Sequence, residues 1–165
     1  MTFDEKCSLI ERVRGREFAA RAAELSALEA KFGTGVGKTV LRARSALVQR
    51  EWQEISKRTD QRGVQGILDT FWKGLEDSGY RFSYQRSGKS LSFTVTYCPV
   101  AAMALKLGCA KWGFACYCAD DYNVAKGFDP NLDFTRSKTL MQGHDCCDHR
   151  YVEGEGPDSR GDSDE

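Results

Sequence analysis

Near Gly79 the apolar residues of this chain change their period, and that change limits which elements it can build. Before it, Phe3, Cys7, Ile10 and Val13, then Phe18, Ala22, Leu25 and Leu28, recur at three- to five-residue steps with charges between them. This spacing lays one apolar stripe along a helix, with a break expected near Gly15. Further stripes run through Leu41, Leu47, Val48, Trp52 and Ile55, and through Val64, Ile67, Leu68, Phe71, Trp72 and Leu75. Three helices therefore fill the first half, the last ended by Gly79 in "DSGY". Beyond it, Phe82 and Tyr84, a turn at "RSGK", and Leu91, Phe93, Val95 and Tyr97 alternate apolar with polar, as strands with one buried face do. Pro99 stops the second strand. Val100, Met103, Ala104 and Leu107 then resume helical spacing towards Lys126, with a break near Gly108 or Gly113. "LDFTRSKTL" and "CDHRYV" alternate again and form a second antiparallel pair joined around Gly143. The expected fold class is α+β: a helical N-terminal half, then an antiparallel sheet in the order β-β-α-β-β covered by helices. Its strands are expected at 80–85, 91–97, 132–140 and 146–152.

A chain of 165 residues can bury a sizeable core without cross-links. One α+β domain is expected over 1–152, divided into a helical extension, 1–62, and a motif-bearing core, 63–152. The stretch 153–165, "EGEGPDSRGDSDE", carries six acids against one arginine and reads as a disordered acidic tail. Residues 1–152 then hold 23 bases against 18 acids with no basic stripe, so no nucleic-acid partner is expected. No run approaches the roughly 20 apolar residues of a membrane span. Charges in "MTFDEKCSLIERV", where a signal peptide would be apolar, point to a cytoplasmic protein. "GTGVGKT", residues 33–39, imitates a phosphate-binding loop, but its spacing is one residue short and a charged helix, not a strand, precedes it. It reads as a link between helices, with Gly33 as the cap.

Six of the seven cysteines fall after residue 97, and both histidines lie in "GHDCCDHRY", 143–151. In a reducing compartment such thiols serve as ligands, catalysts or core. Cys118 and Asp121, three apart on a helix, share a face that Cys116 does not. On the last strand Cys147, His149 and Tyr151 project to one side, and Cys146, Asp148 and Arg150 to the other. The first set is expected inward, because Arg150 suits solvent. Arg136 and Lys138 fall in the inward register set by Leu132, Phe134 and Leu140. Lys138 can snorkel out, but a buried guanidinium requires an anion: a structural carboxylate, Asp121 or Asp148, or that of a ligand. A zinc or iron ion on Cys118, Cys147, His149 and His144 is a further reading, although the spacings are Cys-x-Cys and Cys-Cys rather than the Cys-x-x-Cys of zinc knuckles.

Set side by side, "YCP" (97–99), "CYCADDY" (116–122), "RSKTLMQG" (136–143) and "CCDHRY" (146–151) resemble the L-2-amino-thiazoline-4-carboxylic acid hydrolase family. In that family Cys-Pro follows a strand, and a helix carries Cys-x-x-Asp-Tyr. A strand with Arg-(Ser/Thr)-x-Thr then leads through a glycine to Cys-Asp-aromatic-(Arg)-Tyr. The matching positions are Cys98 and Pro99, then Cys118, Asp121 and Tyr122, then Arg136, Thr139 and Gly143, and last Cys147, Asp148 and Tyr151. His149 stands where many members carry phenylalanine. The resemblance covers about residues 64–152; at the level of fold, the segment order also looks like small-molecule-binding domains of the vinyl-reductase and TRAPP-like kind.

The resemblance implies an enzyme that opens a cyclic amidine-like ring with water at C2, giving an N-carbamoyl amino acid from a small carboxylate-bearing substrate. It implies catalytic Cys118, Asp121, Cys147 and Asp148, to which the inward face of the last strand adds His149 as a catalytic candidate, and substrate-binding Arg136, Tyr122, Cys98 and Thr139. Cys118 or Cys147 would be the nucleophile if a nearby cation lowers its pKa. Asp121 would hold the charged N–C–N unit, and Arg136 the carboxylate. The rival from another class is a non-catalytic small-molecule-binding or thiol/metal sensor module, its helical first half a homo-oligomer element. A catalytic site requires a thiol, a carboxylate and Arg136 to converge; a binding module requires an apolar pocket with buried, inert cysteines.

Overall fold

A computed structural model describes residues 2–154. The first helix, α1 (Phe3–Phe32), opens on a capping box: the Thr2 hydroxyl accepts from the Glu5 N–H at 3.2 Å, and the Glu5 carboxylate accepts from the Thr2 N–H at 2.7 Å. It runs unbroken through Gly15, against expectation. Gly15 is buried beside Met103, and a Cβ there would stand 3.6 Å from the Met103 sulfur, an ordinary van der Waals contact, so a small side chain would also fit and the glycine does not end the helix. Gly33, at φ 82°, caps the C-terminus as the sequence suggests, and α2 (Gly35–Lys57) packs back against α1. The third helical stripe divides into α3 (Gly63–Ile67), a π-helical turn (Leu68–Trp72) and α4 (Lys73–Asp77), and Gly79 ends it at φ 84°.

The hairpin follows as β1 (Arg81–Ser87) and β2 (Ser90–Tyr97). Pro99 opens α5 (Pro99–Lys106), whose first turn is capped by the Cys98 sulfur accepting from the Ala101 N–H at 3.3 Å. The break comes at Gly108, φ 66°, and Gly113 lies inside α6 (Ala110–Cys116), where a Cβ would meet the Met141 sulfur at 2.6 Å. A 3-10 turn (Cys118–Asp120) leads into α7 (Asp121–Phe128), and β3 (Leu132–Thr135) and β4 (Cys147–Glu153) are the last strands among the described residues. Among the described residues no helix is long and apolar enough to cross a membrane.

The fold is α+β, with one antiparallel sheet in the order β1-β2-β4-β3. Helices cover one of its faces. Leu91, Phe93 and Val95 pair across β2 and β4 with Tyr151, His149 and Cys147, and these side chains point into the protein. Trp72 stacks flat on Phe93, ring centroids 3.7 Å apart. The opposite face is polar and open at Ser83, Gln85, Thr94 and Arg150. Two apolar cores result. One joins the sheet to Val64, Ile67, Trp72 and Phe128; the other joins α1, α5 and α6 through Phe18, Ala22, Ala104 and Trp112. Tyr80, Cys98 and Leu140 touch both, and so mark a seam.

The third strand ends five residues early. Past Thr135 the backbone donors of Ser137 and Lys138 turn to the Asp148 carboxylate, at 2.9 and 2.5 Å, and the Ser137 hydroxyl joins them at 2.5 Å. A side chain thus replaces a neighbouring strand as hydrogen-bond acceptor, and Arg136 is carried on an irregular segment rather than in the sheet. A 3-10 turn (Leu140–Gln142) follows, capped by Thr139. Glu153, expected to begin the tail, instead closes β4 and accepts from the Val64 N–H at 2.8 Å. The expected tail beyond it, 155–165, lies outside the described residues.

Burial alone would raise the Asp148 carboxyl, but the donors of Ser137 and Lys138 outweigh it and hold the group below the usual aspartate range. Its contribution is therefore present above an unfolded pKa of about 3.9 and is lost as pH falls through the lower folded value. Asp148→Asn is expected to lower the melting temperature at pH 7, with a gap to wild type that narrows below about pH 3.9. A gap that does not change with pH would rule out this clasp.

Candidate functional site

A cavity of about 360 Å³ opens along the seam. Its floor is the inner sheet face at Val95, Cys147 and His149; Cys98, at the start of α5, and Cys118 add two further thiols. From α2 come Arg44, Val48, Glu51 and Trp52, and from the π turn Phe71 and Trp72. Arg14 reaches the same cavity from α1. Three guanidinium groups, Arg14, Arg44 and Arg136, thus face three carboxylates, Glu51, Asp120 and Asp121.

The turn after α6 creates the charged part. Tyr117 leaves helical geometry, the 3-10 turn aims Cys118 inward, and Asp121 opens α7 on the same side. Asp120 pairs with Arg44, and Asp121 pairs with Arg136. The same Asp121 oxygen, Oδ2, lies 3.2 Å from Nε2 of His149. The Arg136 side chain is only 4% exposed and Asp121 16%, so this is a buried pair whose members depend on each other. His149 is wedged edge-on to Trp72, 5.1 Å between ring centroids, and its Nδ1 is buried with no partner among the described residues. A proton on Nε2, given to Asp121, leaves Nδ1 as a bare acceptor and is the tautomer this setting favours.

The thiols depart from expectation. Burial pushes Cys98 up to about 11, and burial with the neighbouring Asp121 pushes Cys118 far above its ordinary value. Cys147 is also raised by burial, against the pull of the Leu140 N–H, which its sulfur accepts at 3.2 Å, and of Arg136. Arg136 does lower both Cys118 and Cys147, as a cation should, but Asp121 opposes its charge at both. The cavity therefore holds protonated thiols at neutral pH. Asp120 is raised by burial, although its bond to Arg44 resists this.

Of the residues singled out from the sequence, Cys98, Cys118, Asp121, Arg136, Cys147 and His149 come together on this cavity. Asp148, Tyr122, Thr139 and His144 do not. Asp148 is on the outer sheet face, one residue out of register with Cys147 and His149. Tyr122 is half exposed and meets Phe134 edge-on at 4.8 Å, since one step along α7 turns it away from the side of Asp121. Thr139 is buried as the cap of the 3-10 turn, and His144 Nδ1 sits against the Thr139 backbone at 3.1–3.2 Å. Asp148 and Thr139 thus hold the segment that follows Arg136. Among the described residues no three His, Cys, Asp or Glu side chains are arranged to hold a metal ion.

Sequence reasoning missed the contribution of the first half: Arg14, Arg44, Glu51 and Trp52. One signal was available, because Arg44 falls at four-residue steps from Val48 and Trp52, a charge in an apolar stripe of the kind that drew attention to Arg136. The doubled acid in "CADDY" was another, since both aspartates are used.

A family model described as L-2-amino-thiazoline-4-carboxylic acid hydrolase matches residues 13–151. That span reaches well before residue 64 and takes in α2 and most of α1 with Arg14. No curated protein and no solved structure matches the chain.

Proposed function

Because this chain belongs to the L-2-amino-thiazoline-4-carboxylic acid hydrolase family, we propose that it opens a 2-amino-thiazoline-type ring with water, in the seam cavity. The observation that carries the reading is the Asp121 carboxylate bridging Arg136 and His149 beside a solvent-reachable cavity. Such a substrate brings a cationic N–C–N unit and a carboxylate. Asp121 is the anion for the first. Arg136, already engaged by Asp121, fixes that carboxylate in place, and Arg14, outside both ion pairs, takes the substrate carboxylate.

Water, rather than a thiolate, attacks C2, since burial keeps the three thiols protonated. Asp121, which faces the cavity and is held by Arg136 and by Nε2 of His149, accepts a proton as the oxygen bonds to C2 and returns it as the C2–S bond breaks. The ring nitrogen of the cation already carries its proton, so of the two water protons one ends on the departing sulfur and the other is released to solvent as the C2–OH becomes the carbonyl. The product is the N-carbamoyl amino acid with a free thiol, which together with that proton is the sum of substrate and water.

Cys118→Ser and Cys147→Ser, made separately, are expected to keep hydrolysis of 2-amino-thiazoline-4-carboxylate within about tenfold of wild type. A nucleophilic thiol would instead cost several orders of magnitude in kcat. A loss of that size in either variant, with binding retained, would reverse the choice of nucleophile. The protonated thiols also favour a second reading, a binding module with inert cysteines. Binding of the thiazoline acid by wild type with no turnover would select it.

A further inference from the structure

Asp121, Arg136 and His149, the groups assigned to the reacting ring, form only part of the cavity lining. That ring is a single small heterocycle, whereas a cavity of about 360 Å³ is in the range that encloses a drug-sized ligand. The remaining space is aromatic. Arg44, Val48 and Trp52 share one face of α2 and all line the cavity. At about 1.5 Å rise per residue, this wall passes from a paired guanidinium to an indole over about 12 Å.

Phe71 and Trp72 extend the indole surface. Trp52 meets Phe71 edge-on at 5.4 Å, and Phe71 meets Trp72 at 5.5 Å. Consecutive residues of an α-helix diverge by about 100°, yet these two neighbours both line the cavity, and they do so from the π turn. Isolated π turns are rare and concentrate at functional sites. Trp52 and Phe71 are half-buried, so their rings are not sealed into the core. Trp72 also abuts His149, which brings the aromatic lobe to the edge of the reacting groups.

We propose that the substrate of this chain carries an apolar group of about aromatic-ring size, remote from its carboxylate, seated against Trp52 and Phe71. The class is an aryl-substituted cyclic amidine or isothiourea acid. The inference rests on the hydrolase reading for the reacting ring, and on the cavity alone for the appended group.

The test compares 2-amino-thiazoline-4-carboxylate with its 2-benzylamino analogue, by kcat/KM and by calorimetric Kd, on the full chain. The benzyl compound is expected to be favoured about 10- to 100-fold, the range that burying an aromatic-sized apolar group provides. Phe71→Ala should bring that ratio close to one, and Phe71→Leu, which keeps most of the bulk, should reduce it in part. A wild-type ratio at or below one, or a ratio untouched by both variants, overturns the proposal. If neither compound is hydrolysed, the hydrolase reading fails while the Kd ratio still decides this one. Tighter benzyl binding lost in Phe71→Ala upholds it, and equal binding rejects it.

Discussion

Asp121→Asn is expected to lower the hydrolysis rate by about 10²- to 10⁴-fold, the usual share of a positioned acid–base system. The amide keeps the shape of the carboxylate and one acceptor oxygen, but not the charge that opposes the N–C–N cation and orients His149. Asp121→Ala removes the acceptor as well and leaves Arg136, 4% exposed, without its anion. Breaking a buried pair in this way costs about 3–5 kcal/mol. At about 2–4 °C per kcal/mol for a chain of this size, the alanine variant should melt roughly 6–20 °C lower. The two substitutions therefore separate chemistry from folding: asparagine should lose rate with a smaller loss of melting temperature. An asparagine variant that hydrolyses at the wild-type rate would remove Asp121 from the mechanism.

Gly127→Ala is expected to be the most damaging single-methyl addition in α7. A Cβ there would stand 2.5 Å from the Gln49 carbonyl oxygen and 2.8 Å from the Trp52 Cβ. The Gln49 oxygen belongs to the backbone of α2 and cannot rotate aside, so the two helices must part. Overpacking of this kind costs about 1–3 kcal/mol. Because α2 also carries Arg44, Val48 and Trp52, parting it from α7 shifts one cavity wall against Asp120 and Asp121. Loss of stability should thus come with weakened substrate binding. Gly74→Ala is the control, since nothing lies within 4 Å of its Cβ position and alanine favours the helix. Equal melting temperatures for the two variants would show that the α2–α7 crossing is not tight.

What was legible in the sequence was periodic. The α+β order, the hairpin and the inward set of Cys147, His149 and Tyr151 all followed from two spacings, 3.6 and 2. Arg136 was legible because it violated one of them. Features that depend on distant partners were not. The early end of β3 is set by Asp148, ten and more residues further on, whose carboxylate takes the N–H groups a strand would use. Gly15 looked like a helix break, but the helix continues through it, buried beside Met103, and no local pattern reports that contact. Arg44 escaped because its partner, Asp120, is 76 residues away. The π turn has no periodic signature in five residues, and the protonated state of the thiols depends on burial that no local pattern reports.

The equal number of guanidinium and carboxylate groups around the cavity bears on how molecules arrive there. Arg44 and Arg136 are paired directly and Arg14 is balanced in sign by Glu51, so the lining sums to no net charge and the mouth projects little field beyond the roughly 8 Å over which physiological salt screens. Encounter is then governed by diffusion and shape, and its rate should vary little with ionic strength. Discrimination falls to the step after entry, when Asp121 and an arginine must each meet an opposite charge held at the right separation. A zwitterionic guest satisfies both at once, whereas a simple anion or cation leaves one partner unmatched.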